Sequence, residues 1–131
     1  MTTYLPDTNI LVDVLNDKNE RRALLRKLVV EGHRLACCAV TVAEVYAGMR
    51  PHEALQTDLF LSSLVWYEDS REIARRAGRL RFDCARQGTT LSLADTLIAA
   101  TVIEHGLTLI TPNPKHFPMP EVALYPLPER T

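Results

Sequence analysis

Residues 91–111 read LSLADTLIAATVIEHGLTLIT, and the class of the whole chain can be read from this segment. Its first part is apolar on nearly every side of a helix. Gly106 is a normal helix exit, and residues 107–111 form the clearest strand in the chain. A helix running through a glycine into a strand is one unit of an alternating α/β protein. The helix also holds one aspartate, Asp95. An ionised carboxylate taken out of water costs several kcal/mol unless it is paired, hydrogen-bonded or metal-bound. Asp95 therefore needs a partner, and the rest of the chain has to supply it.

Working outward, the same alternation recurs. A short strand at residues 3–5 runs into Asp7-Thr8-Asn9, which can cap a helix continuing to Leu15. Residues 23–30 are amphipathic and stop at Gly32. Residues 34–40 read as a second strand, after which Thr41 opens a helix ending near Gly48. A further helix is expected between Pro51 and Leu64, with the proline in its first turn. Val65-Trp66-Tyr67 is short and β-rich, and Ile73, Ala77, Leu80 and Cys84 make a helical stripe from Ser70 to about Gln87. Six of the eight prolines follow Thr111, so the tail is extended or turning, with a last edge strand at residues 122–125. The expectation is one domain over residues 1–131, a three-layer α/β/α arrangement around a mostly parallel sheet of four to five strands.

Bulk properties agree with that class. The chain has 131 residues, 47% hydrophobic and 24% charged, long enough for a proper core without staples. A formal net charge of −1 excludes a grossly basic nucleic-acid coat while leaving room for a local basic face. Three cysteines, Cys37, Cys38 and Cys84, form no CxxC pair. Cys37 and Cys38, being neighbours on a strand, point to opposite faces. Reduced structural thiols, no leader at MTTYLPD and no apolar run near the roughly 18 residues of a membrane span lead us to expect a cytoplasmic protein with no membrane partner.

Three acids occupy similar places in this map. Asp7 follows the first strand, Glu44 sits one turn into the helix after the second, and Asp95 lies in the first turn of the buried helix. In parallel α/β sheets such positions converge on one edge crevice. Three carboxylates gathered there raise one another's pKa, and a divalent cation removes the conflict. Oxygen ligands of this kind suit Mg²⁺ or Mn²⁺. A plainer reading stands beside this one. Thr41 to Glu44 and Ser92 to Asp95 both fit the [ST]-x-x-[DE] capping box, and Asp7 fits an N-cap. Capping and metal binding are compatible, because a cap can orient the carboxylate.

These residues resemble a known family. Asp7-Thr8-Asn9-Ile10-Leu11, Thr41 to Gly48 (TVAEVYAG) and Ser92 to Ala100 (SLADTLIAA) look like three motifs of the PIN domain, and Thr111 to Phe117 (TPNPKHF) looks like the fourth. The motifs come in the family's order and cover nearly the whole chain. The size is similar to that of the VapC toxins of type II toxin–antitoxin pairs. The resemblance implies a Mg²⁺- or Mn²⁺-dependent endoribonuclease that hydrolyses RNA phosphodiester bonds by a metal-activated water. Asp7, Glu44 and Asp95 are then the metal ligands, and Thr111 and Asn113 line the same site. Many relatives carry a fourth acid in the last motif, where this chain has Asn113 and His116. Three acids support one metal; for a second, Asn113 offers a neutral carbonyl oxygen and an RNA phosphate could complete the site. The resemblance also implies a cognate antitoxin, a second copy of the chain, and a hetero-oligomer of the two.

Cations for RNA are expected on the segment from Arg71 to Arg86, which carries six arginines against Glu72 and Asp83. Arg71, Arg75 and Arg79 recur every four residues on a face distinct from the apolar stripe, as a row for phosphates or as an ordinary solvated face. Asp13 reads as an exposed helix acid. Leu55, Leu59, Phe60 and Leu64 are either core or a partner surface. Haloacid-dehalogenase-type phosphohydrolases, which need a second Asp two residues after the first, are disfavoured by Asn9. An inactive PIN fold kept as a binding or scaffold module, and a housekeeping RNA-processing nuclease, are the alternative functions.

Overall fold

The strands form because short β-branched and aromatic runs alternate with helices that cover both of their faces. In the computed structural model, which describes residues 1–128, five strands make one parallel sheet. They are β1 (Thr3–Pro6), β2 (Arg34–Cys38), β3 (Val65–Tyr67), β4 (Thr108–Ile110) and β5 (Ala123–Leu124), in the order β3-β2-β1-β4-β5. Tyr4 pairs with Leu35 on one side and with Thr108 on the other, so β1 is central.

Neighbouring residues of each strand face opposite layers. Leu5, Ala36, Cys38 and Leu109 pack against Ile98, Ala99 and Val102 of α6 (Leu93–His105), with Leu80 and Cys84 of α5 (Arg71–Arg86) over them. On the other face, Ile110 and Tyr4 meet Ile10 and Val14 of α1 (Thr8–Leu15) and Leu25 and Leu28 of α2 (Arg21–Val30). Cys37 is on that side too, against Leu11, Val45 of α3 (Ala39–Gly48) and Leu61 of α4 (Ala54–Ser62). The adjacent cysteines thus point to opposite layers, and both are free thiols. Burial pushes the Cys37 thiol up to about 11, which keeps it protonated and unreactive.

The helices α5 and α6 run antiparallel. Arg76, early in α5, pairs with Glu104 at the end of α6, and Arg81, late in α5, donates to the Leu91 carbonyl just before α6 at 3.0 Å. Among the described residues no helix is long and apolar enough to cross a membrane.

Several boundaries differ from expectation. The second strand ends at Cys38, and Ala39 and Val40 are already helical. Thr41, fully buried, sits inside the first turn, where its hydroxyl accepts from the Cys38 N–H at 3.2 Å and closes the turn around Cys38. The expected capping box from Thr41 to Glu44 therefore does not form, and Glu44 is left free of capping. The helix expected from Pro51 is divided into a 3-10 turn, Pro51–Glu53, and α4, and the last strand shortens to two residues. Asp13, expected to be exposed, is instead half-buried, 3.6 Å from buried Arg21 and bonded by Asn19 at 2.9 Å.

The chain winds outward from β1 to β2 and β3, then returns to place β4 and β5 on the opposite side. The reversal falls between β1 and β4, and it is at the carboxyl ends of such strands that open parallel sheets form their crevices. Pro6 sharpens this one. The Asp7 N–H donates to the Ile110 carbonyl at 2.8 Å, so the position without an N–H faces β2, where pairing has already ended at Tyr4 with Leu35.

Candidate metal and active centre

Asp7 lies where β1 becomes α1. Its backbone is extended (φ −64°, ψ 160°) and it is the N-cap, with Oδ1 accepting from the Thr8 N–H at 2.8 Å. Oδ2 accepts from the Thr111 hydroxyl, also at 2.8 Å, across the β1–β4 reversal. The Thr111 hydroxyl is in turn oriented by the Asn113 N–H at 3.0 Å. Asn113 thus contributes through its backbone; among the described residues its side-chain amide makes no hydrogen bond.

The carboxylate of Asp7 is only 6% exposed, and among the described residues no cation pairs with it. Burial pushes its pKa above the usual carboxylate range. The bonds from Thr111 and Thr8 pull it back, while the charges of Asp95 and Glu44 push it further up. The last two effects mean that Asp95 and Glu44 lie within electrostatic reach of Asp7.

Glu44 projects from α3 and is exposed, with Oε1 accepting from the Thr8 hydroxyl at 2.6 Å. Thr8 therefore ties two acids together, its N–H holding Asp7 and its hydroxyl holding Glu44. This link was not read from the sequence, although the DTN motif contains it.

Asp95 sits at the third position of α6, whose N-cap Ser92 accepts from the Asp95 N–H at 3.0 Å. The cap is real, but only half of the box is made: the carboxylate is left free, partly exposed at the crevice rim, with His116 Nδ1 3.5 Å from its Oδ2. Asp95 is thus less buried than its apolar neighbourhood suggested, because the first turn of α6 emerges from the layer that buries the rest of the helix.

No three acidic, histidine or cysteine side chains among the described residues converge tightly enough to enclose an ion by themselves. The crevice is open, with oxygen donors on separate elements. A buried carboxylate with no cation paired to it among the described residues, and with two further acids in electrostatic reach, fits a hydrated divalent ion, because Mg²⁺ and Mn²⁺ retain several waters when bound by few carboxylates.

The arginine row stands apart from this crevice. Arg71, Arg75 and Arg79 are all exposed on α5, and Arg79 is 3.3 Å from Asp83. Because α5 and α6 are antiparallel, Arg71 and Arg75 lie toward the end of α6 away from Asp95. Arg81 and Arg86 are nearer to the start of α6. Leu55 and Leu59 are solvent-exposed, whereas Leu64 belongs to the core.

The sequence and the fold match known proteins. The PIN domain profile covers residues 4–119. Ribonuclease VapC19 of Mycobacterium tuberculosis is 37% identical over 117 residues, 88% of this chain and 92% of that one. Ribonuclease VapC10 of the same species is 35% identical over 115 residues, covering 88% and 86%. Among solved structures, VapBC2 from Rickettsia felis bound to a DNA fragment from its promoter superposes with a TM-score of 0.84 at 27% identity, over 95% of this chain and 98% of that one. A toxin–antitoxin complex from Klebsiella pneumoniae gives 0.76 at 33% identity, over 92% and 95%. The chain belongs to the PIN-domain family, in its VapC branch.

Proposed function

We propose that this chain is a divalent-metal-dependent endoribonuclease and the toxin of a VapBC-type toxin–antitoxin pair. The family membership and the names of its relatives support the nuclease and toxin assignments. The observation that carries the metal reading is Asp7: a buried carboxylate at the sheet reversal, with no cation paired to it among the described residues and two more acids within electrostatic reach.

Asp7, Asp95 and Glu44 are the residues that would hold one Mg²⁺ or Mn²⁺. Such an ion, when bound, makes water more acidic and offsets charge growing on the phosphate. The protein's own share is positioning and proton transfer. Thr111 and the Thr8 N–H fix both oxygens of Asp7, the Thr8 hydroxyl fixes Glu44, and Asn113 fixes Thr111 through its N–H. One of the carboxylates takes the proton of the attacking water. Water, in place of the RNA's own 2′-hydroxyl, attacks phosphorus and the P–O3′ bond breaks, the leaving 3′-oxygen taking a proton from solvent, so the products carry a 5′-phosphate and a 3′-hydroxyl. Arg71, Arg75 and Arg79 contact RNA phosphates outside the crevice. The partners are a cognate antitoxin that covers the acidic crevice and a second copy of this chain.

The test incubates the purified chain with total RNA and Mg²⁺ or Mn²⁺, beside an Asp7→Ala, Asp95→Ala double variant. Discrete metal-dependent fragments absent from the variant are expected, with ends of the stated chemistry. If the wild type neither cleaves nor binds metal, the acids are helix caps and the scaffold function replaces this one.

A further inference from the structure

We infer that His116 is a nitrogen donor to the same divalent ion, which gives the centre a preference for Mn²⁺ over Mg²⁺; this rests on the reading that Asp7 and Asp95 hold an ion. His116 Nδ1 is 3.5 Å from Asp95 Oδ2. Adjacent donors on a six-coordinate ion with bonds of about 2.1 Å stand roughly 3 Å apart. The pair therefore needs only about half an ångström of side-chain movement to share one ion, within the freedom of a ring that is 59% exposed.

The backbone holds that ring in place. His116 closes the 3-10 turn Pro114–His116 by donating its N–H to the Asn113 carbonyl at 3.0 Å. The next residue, Phe117, is 2% exposed and packs in the α6-side core, so it anchors the turn from below. At its other end the same segment begins with Thr111, bonded to Asp7. Residues 111–116 thus reach both Asp7 and Asp95, one through a hydroxyl and the other through an imidazole.

Among the described residues the ring has no partner other than Asp95. Among the described residues it makes no hydrogen bond, whereas His33 accepts from the Thr2 N–H and packs edge-on to Tyr4, and His105 packs against Tyr67. A histidine turned toward a carboxylate at a metal crevice changes the donor set from all-oxygen to oxygen plus nitrogen. Mg²⁺ takes oxygen and holds its waters, while imidazole suits the transition ions, of which Mn²⁺ also accepts carboxylate and water.

The deciding measurement is pulsed electron paramagnetic resonance of Mn²⁺ bound to the full chain, with calorimetric titration of Mn²⁺ and of Mg²⁺ alongside. Wild type is expected to show ¹⁴N modulation from a coordinated imidazole. In His116→Ala the modulation disappears and Mn²⁺ affinity falls by roughly tenfold, with Mg²⁺ affinity held within about twofold. His116→Asp restores an oxygen donor, so it should lose the modulation and narrow the gap between the two ions. Mn²⁺ bound by wild type without nitrogen modulation, or modulation surviving in His116→Ala, overturns the role of His116 and leaves the acidic centre standing. No Mn²⁺ binding by wild type overturns both.

Discussion

Asp7 carries a cost that the folded protein accepts in order to keep a charged group in its crevice. Its pKa is raised above the unfolded value near 3.8, chiefly by burial. A carboxyl shifted in this direction adds stability below the unfolded value and loses it as pH rises through the folded one. At neutral pH, without metal, Asp7 therefore destabilises the fold. Asp7→Asn should melt roughly 2–5 °C above wild type at pH 7.5 in chelator, about 1 kcal/mol, and the gap should close as pH falls toward 4. A variant that melts no higher than wild type at pH 7.5 would contradict this account of burial. Thr8 offers a second residue-level test. Its hydroxyl contacts a charged acceptor on a different element, and Glu44 is exposed, so the bond steers geometry more than stability. Thr8→Val is expected to lower cleavage roughly tenfold with a stability change within about 1 kcal/mol, and Thr8→Ser to retain activity. Equal rates for Val and Ser would remove Thr8 from the site.

At the scale of elements, α5 and α6 illustrate what periodicity reads well. The stripe of Ile73, Ala77, Leu80 and Cys84 faces inward as expected, with Ser70 as the N-cap and Arg71 to Arg86 as the helix. The opposite face is basic and solvated. Its arginines differ in availability: Arg79 is next to Asp83, while Arg71 and Arg75 have no ion pair among the described residues. If this face meets single-stranded RNA, Arg71→Ala, Arg75→Ala, Arg79→Ala should reduce the slope of log affinity against log salt by roughly 1.4, about 0.7 for each of the two free cations. The fold should be untouched, since all three side chains are exposed. An unchanged slope would make this an ordinary solvated helix face.

For the whole molecule, the sheet reversal brings Thr111 after β4 onto Asp7 at the start of α1, with Glu44 of α3 bonded to the neighbouring Thr8 and Asp95 of α6 within electrostatic reach. If these acids hold an ion as proposed, metal binding should register in global stability. At 100 times its dissociation constant, Mn²⁺ is expected to stabilise wild type by about 2.7 kcal/mol and to leave an Asp7→Asn, Asp95→Asn variant unchanged; equal shifts in both would place the ion elsewhere. Much of this architecture was legible in the amino-acid order, because local patterning drives it. Gly106 between a mostly apolar helix and a β-rich run, the opposite-facing Cys37 and Cys38, and the places of Asp7, Glu44 and Asp95 after successive strands all follow from the period of the apolar pattern. Other features depend on contacts between residues far apart in sequence, which no local pattern encodes. Thr111 reaches Asp7 over 104 residues and Thr8 reaches Glu44 over 36. His116 meets Asp95 only because a proline-bounded turn and buried Phe117 fix where that ring stands. Amino-acid order is enough to set which acids the chain carries and where helices and strands alternate; how each carboxylate is held depends on hydrogen bonds across a sheet reversal, which exist only once the strands have paired.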